Sequence, residues 1–214
     1  MTRNILISLN EAVKLVQQEK KNFNQKEKIK LESAMGRVSS KKVTSPIDLP
    51  AHDCAGLDGY ILSNKNKKIL EISKKIITPG KIHKNLDIKL AYKINTGSII
   101  PKRFSNFISL ENASVKNNFI DITNSKITNK DIKKKSEDLK KGKIILNKNQ
   151  EINFRNISLL ASVGVKSLDV YKLLKIGVVS NGDELISFNK IKKDFQSFDS
   201  NKLQIINFLN QYNV

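Results

Sequence analysis

The segment PIDLPAHDCAGLDGYILS, residues 46–63, decides how the chain is read, because two kinds of structure meet inside it. Its first part is broken by Pro46 and Pro50, then by Gly56 and Gly59, a composition that suits an irregular loop. Its last part, GYILS at 59–63, is a short β-prone run. The loop also gathers chemistry: His52, one of two histidines, Cys54, the sole cysteine, and aspartates at 48, 53 and 58. A cysteine nucleophile with its base, a metal site, or a loop presenting a carboxylate are the three readings to separate.

Outward from this segment, towards residue 150, the β-prone texture continues. ILEISKKII (69–77), KLAYKI (89–94), NFISLE (106–111), NFIDI (118–122) and KIILN (143–147) are separated by polar, glycine or proline punctuation. That spacing predicts a mostly antiparallel β-region. Before it, Ser8 and Glu11 form a capping-box pattern, and Leu9, Ala12, Val13 and Val16 recur at helical spacing, predicting a helix over about 9–20. Ile29 and Leu31 alternate with lysines like a short strand, and ESAMGRV (32–38) reads as one or two helical turns closed by Gly36. After the β-region, NISLLASVG (156–164) predicts a compact helix stopped by Gly164, followed by a strand, SLDVY (167–171). An apolar strand LLKIGVVS (173–180), the turn NGDE (181–184) and a helix from about 200 then open an α/β unit. Such a strand needs further cover from elsewhere in the chain, from another subunit, or from a longer version of the sequence.

Of the 214 residues, 39% are hydrophobic and 28% charged, the balance of a soluble globular protein. No apolar run approaches the roughly 18 residues of a membrane span. The apolar cluster Ile5–Ile7 is too short for a secretory leader. One cysteine forms no internal disulfide, so a reducing cytoplasm is expected. The net charge of +19 raises nucleic acid as a partner, but all of the 39 basic residues except Arg3, Arg37, Arg103 and Arg155 are lysines. Lysine lacks the planar fork that grips phosphates and guanines, and these lysines are scattered, so nucleic acid is disfavoured.

Within the opening loop, no orienting group or oxyanion hole accompanies His52 and Cys54, and no CxxC or HxxxH pair offers zinc ligands. Both are expected to be ordinary loop residues. Asp58 is the better candidate, since Gly59 would let a ligand or another backbone come close. From chemistry alone, a working carboxylate and a turn cap are equally good accounts of it.

The segment resembles the PxxDNSAMDGYA loop of the molybdopterin molybdenumtransferase family, the bacterial MoeA and gephyrin E-domain type, whose members insert molybdenum into molybdopterin. Further stretches are similar in the same order. SLNEAVKLV and LESAMGRV resemble the family's SLDEAL and ALGRVLA; KINTGSIIP (93–101) resembles RIMTGAPLP; DIKKKSEDLKKGKIIL (131–146) resembles NIRRRGEDIRAGDVLL. LLASVGVKSLDVYK, VVSNGDEL and FDSNKL resemble LLASLGIAEVPVYR, ILSTGDEL and IRDSN.

The resemblance implies an α+β, multi-domain protein: an elongated linker domain from 1–42 and 141–171, a β-rich domain over 43–140, and over 172–214 the start of an α/β molybdopterin-binding domain. It implies a homodimer acting on molybdate and adenylylated molybdopterin with Mg2+, with the active site between the third domain of one subunit and the β-rich domain of its partner. Carried over residue by residue, Asp58, Asp138 and Glu184 match acidic catalytic positions. Thr96, Gly97, Ser180, Asn181, Gly182, Asp183, Asp199, Ser200 and Asn201 match substrate-binding ones; no metal ligand set follows from the match. Ser200 is also a plausible cap for the last helix. Lys133–Lys135 stand where the family has arginines, keeping positive charge for an anionic substrate. Ser136 replaces a glycine, which strains the loop if a positive φ is required. The family's later SGGVS and PGNPxS segments have no counterpart, so the expectation is a shortened member with impaired or incomplete molybdenum transfer. The alternatives are a non-catalytic dimerisation or remnant protein of the same family, and a lysine-rich nucleic-acid binder.

Overall fold

The structure is a computed structural model that describes residues 7–18, 24–63 and 66–212. It is a mixed α+β fold with mostly antiparallel strands, and its backbone contacts divide into two units. One comprises Lys42–Asn147 and Ser158–Val165; the other comprises Met1–Lys41, Lys148–Ile157 and Lys166–Val214.

In the unit built on Lys42–Asn147, two three-stranded antiparallel sheets form from the apolar runs. In the first, Gly59–Leu62 lies between Tyr92–Ile94 and Asn106–Ser109. Ile61 and Phe107 enter one apolar core while Leu62 and Ile108 enter another, so Gly59, Ile61, Leu62 and all of Asn106–Ser109 are buried. Ile61, Ile77, Ile94 and Phe107 make a core with Phe104 and Ile132. The second sheet places Phe119–Asp121 between Ile69–Glu71 and Ser114–Lys116, over a core of Leu62, Leu70, Ile108 and Ile120. Two shorter pairings close the unit: Cys54–Ala55 with Ile132–Lys133, and Val43–Thr44 with Ile144–Leu146.

In the other unit, Lys26–Lys30 pairs antiparallel with Ser167–Tyr171, and alternation along the second strand buries Leu168 and Val170. Leu31 turns out of the strand into a single 3₁₀ turn, Leu31–Ser33, so its side chain joins Ala34 and Ile152 in the interior. Arg37 donates to Glu27 and, at 2.8 Å, to the Tyr171 carbonyl, tying the turn to both strands.

Helix α1, Leu9–Gln18, begins with the predicted capping box: Ser8 N–H and hydroxyl donate to Glu11 at 2.8 and 2.9 Å. Residues 19 and 20 of the predicted helix lie outside the described residues. Helix α2, Phe154–Ser162, starts two residues earlier than the periodicity suggests. Asn153 and Asn156 cap it reciprocally, each backbone N–H donating to the other's side-chain oxygen at 3.0 Å.

The predicted strand over 173–180 does not form. Leu173, Leu174, Ile176 and Val179 are exposed, and the parallel pairing is made instead by Leu185–Ile186 with Ser197–Phe198, which leads into helix α3, Ser200–Asn210. An apolar run becomes a strand only where its N–H and C=O groups meet a neighbour's, and among the described residues no strand lies beside 173–180.

Candidate functional site

Asp58 stands immediately before the central strand Gly59–Leu62, and the strand holds it there. A Cβ on Gly59 would lie 2.3 Å from the Ile108 carbonyl oxygen and 2.7 Å from Phe107 Cζ, so only glycine allows the two strands to close. The close approach made possible by Gly59 is therefore between backbones, not with a ligand. The Asp58 carbonyl accepts from Leu110 N–H at 3.1 Å, which fixes the main chain.

Across the sheet, the strand Tyr92–Ile94 runs into a β-turn in which Ser98 N–H donates to the Asn95 carbonyl at 3.1 Å, and Gly97 takes the required positive φ of 78°. The turn aims Thr96 at Asp58: its backbone N–H and its hydroxyl both donate to Asp58 Oδ1, each at 2.7 Å. The Thr96 backbone N–H, then its hydroxyl, hold the Asp58 carboxyl below the usual aspartate range, with Lys93 adding a favourable field. Both bonds fall on Oδ1, so Oδ2 has no partner among the described residues. Gly97 N–H is committed to the Ala55 carbonyl at 2.8 Å. Thr96 and Asp58 are thus brought together, while Gly97 shapes the turn that joins them.

Asp138 sits in the 133–138 turn, where Lys133 Nζ reaches its two oxygens at 3.3 and 3.1 Å. That bond raises Lys133 above the usual lysine range. The neighbouring lysines are engaged too. Lys134 Nζ lies 3.0 Å from Asp53, Lys135 N–H donates to Asp53 at 2.8 Å, and Lys135 Nζ lies 3.4 Å from Asp48. Each of the three lysines thus faces an aspartate, two of them from the loop opposite. Asp53 and Asp48 hold the 133–141 loop by accepting from Lys135 and Lys141 N–H. The lysine ends of all three pairs are exposed, so solvent screens the pairs and an arriving anion can compete for a lysine. Ser136 does adopt a positive φ, 65°, and its hydroxyl hydrogen-bonds Asp48.

Cys54 lies in a strand paired with Lys133, and burial pushes its thiol up, away from a reactive thiolate. Among the described residues no group of three or more His, Cys, Asp or Glu side chains is placed to hold a metal.

The remaining carried-over residues belong to the other unit. Ser180, Gly182 and Asp199 line a cleft of about 500 Å³ with Lys202, and Asn181, Ser200 and Asn201 line an adjoining one of about 200 Å³. Asp199 caps helix α3, accepting from Lys202 N–H at 3.1 Å; Ser200 is the first helical residue rather than the cap. The Ser180 hydroxyl, then Lys202 N–H, lower the Asp199 carboxyl below its usual range. The turn around Asp183 closes through Leu185 N–H to the Gly182 carbonyl at 3.1 Å. The Glu184 carboxylate folds over Gly182, where a Cβ would lie 2.7 Å from Oε2.

Residues 7–164 match the family model described as the MoeA N-terminal region, domains I and II. The chain belongs to this MoeA family. Its relatives include a molybdopterin molybdenumtransferase of Haemophilus influenzae, 31% identical over 186 residues that cover 85% of this chain and 46% of that protein. Gephyrin of Dictyostelium discoideum is 25% identical, across 88% of this chain and 29% of its own. The structure of a molybdopterin biosynthesis MoeA protein from Pyrococcus horikoshii superposes with a TM-score of 0.80 at 26% identity, over 96% of this chain and 55% of that one. This MoeA-family chain spans about half the length, or less, of the relatives it matches.

Proposed function

We propose that the chain acts in molybdenum cofactor biosynthesis, in the transfer of molybdenum from molybdate to adenylylated molybdopterin with release of AMP. The observation that carries this reading is the Asp58–Thr96 pair, an exposed, ionised carboxylate fixed through one oxygen and open at the other, in a chain of the MoeA family. On this reading the chain works as a cytoplasmic homodimer. It is organised as a linker domain (1–42 with 141–171), a β-rich domain (43–140) and the start of a molybdopterin-binding domain (172–214).

Magnesium fits this donor set in one way only. Mg2+ keeps most of its waters and takes one or two carboxylates together with substrate phosphates, so it needs no cage of three protein ligands. Asp58, with Oδ1 taken by Thr96, would hold it through Oδ2. When bound, the ion would neutralise charge on the phosphoanhydride that is cleaved. The chain's own groups do the rest. Thr96 keeps Asp58 ionised and oriented, Lys133–Lys135 exchange their aspartates for the anionic substrate, and Glu184 positions the attacking oxygen. Ser180, Asn181, Gly182, Asp183, Asp199, Ser200 and Asn201 are proposed to bind the pterin substrate.

The test is AMP release from adenylylated molybdopterin by the purified chain, with molybdate and Mg2+ present. Molybdate-dependent release, reduced about 100-fold or more by Asp58→Ala, is the expected result. Release that ignores molybdate, or that survives Asp58→Ala, would refute the assignment.

A further inference from the structure

We infer that the Lys42–Asn147 unit carries a second ligand site, a cleft that takes a small amphiphilic monoanion. The cleft encloses about 620 Å³, within the range of small-molecule sites. It includes none of Asp58, Thr96 and Asp138, and of the residues proposed to meet the transferase substrate it shares only Lys134 and Lys135.

Its floor is apolar and fixed. Phe104 and Ile132 are buried core residues, and the Phe104 ring stands edge-on to Tyr92 at a centroid distance of 5.5 Å. Half-buried Ile99, Ile100 and Pro101 continue the floor towards the rim. An apolar surface of this kind, left partly open, calls for an apolar body to cover it.

The rim sets the charge of the other end. Three lysines border the cleft, but Lys134 is paired with Asp53 and Lys135 with Asp48. Lys102 has no acidic partner among the described residues, so it is the cation that an anionic head meets without displacing an aspartate. One cation free of an aspartate matches the charge of a monoanion, and a carboxylate is the commonest organic monoanion near neutral pH. The two histidines complete the rim. His83 Nε2 accepts from Thr78 N–H at 3.2 Å, which places the proton of the neutral ring on Nδ1 as a donor. The site does not suit single-stranded nucleic acid, which needs exposed aromatic faces for stacking, whereas Phe104 is buried.

Both histidines of the chain line this cleft, so their imidazole NMR signals report on it. The experiment titrates the full chain with octanoate, benzoate, phenyl phosphate and acetate at constant pH. Octanoate or benzoate should shift both histidine signals saturably, while acetate at the same concentration leaves them unmoved. Lys102→Ala should weaken that binding roughly tenfold. Ile82→Glu, a change on the rim at a residue 68% exposed and therefore tolerated by the fold, should weaken it as well. Equal shifts with acetate and octanoate, no saturable shift at all, or full binding in Lys102→Ala would overturn the site. Tighter binding of phenyl phosphate than of benzoate would overturn its monoanion preference.

Discussion

At the scale of single residues, Asp58 is held by two donors from one threonine, and this has a consequence for pH. Its folded pKa lies below the unfolded value, so the stability it contributes is present above the ordinary aspartate range and is lost as pH falls through the folded pKa. Asp48, Asp53, Asp121 and Asp199 are lowered in the same direction. The thermal midpoint should therefore fall as pH drops below about 4, and Asp58→Asn should flatten that fall. A midpoint indifferent to pH in that window, or an Asp58→Asn variant with the wild-type slope, would show that the carboxylate is not held as described. Ser136 gives a second case. At a φ of 65° a β-branched residue is costlier still, so Ser136→Val should destabilise by about 1–2 kcal/mol in urea unfolding. Asp58 was legible as a candidate because glycines flank its loop, but its partner was not. Thr96 is 38 residues away, and the lysine–aspartate pairs between the two loops span 81 residues or more, distances that no local spacing encodes.

At the scale of elements, the central strand depends on Gly59. Adding one methyl there drives it into the Ile108 carbonyl and the Phe107 ring, which are buried and cannot give way. Gly59→Ala should cost about 3 kcal/mol in urea unfolding, and a loss below about 1 kcal/mol would mean that the sheet relaxes around it. The strands of both three-stranded sheets except Ser114–Lys116 were legible as β-prone runs between turn residues, because packing follows the same apolar positions that the sequence displays. The two-residue pairings Cys54–Ala55 with Ile132–Lys133 were not, since so short a ladder has no pattern of its own and is imposed by the loops that meet there. The run 173–180 failed for the opposite reason. Its composition suits a strand, yet pairing is a property of two segments, and its neighbours pair elsewhere.

At the scale of the whole molecule, the net charge of +19 is the excess of 39 lysines and arginines over 20 acidic residues, and Lys41, Lys133, Lys134 and Lys135 each face an aspartate. The remainder repel one another, so raising salt from about 20 to 200 mM should raise the thermal midpoint by a few degrees as screening sets in. A midpoint that falls with salt would mean that attractive pairs outweigh this repulsion. The family was legible because its motifs recur in order along the chain, and the fold follows from the family. The direct measurement of the central claim is activation of a molybdenum-free apo-molybdoenzyme by the product this chain makes from adenylylated molybdopterin, molybdate and Mg2+. The account predicts activation by the wild-type chain and a loss of about 100-fold with Asp58→Ala; no activation by the wild type, or equal activation by both, would contradict it.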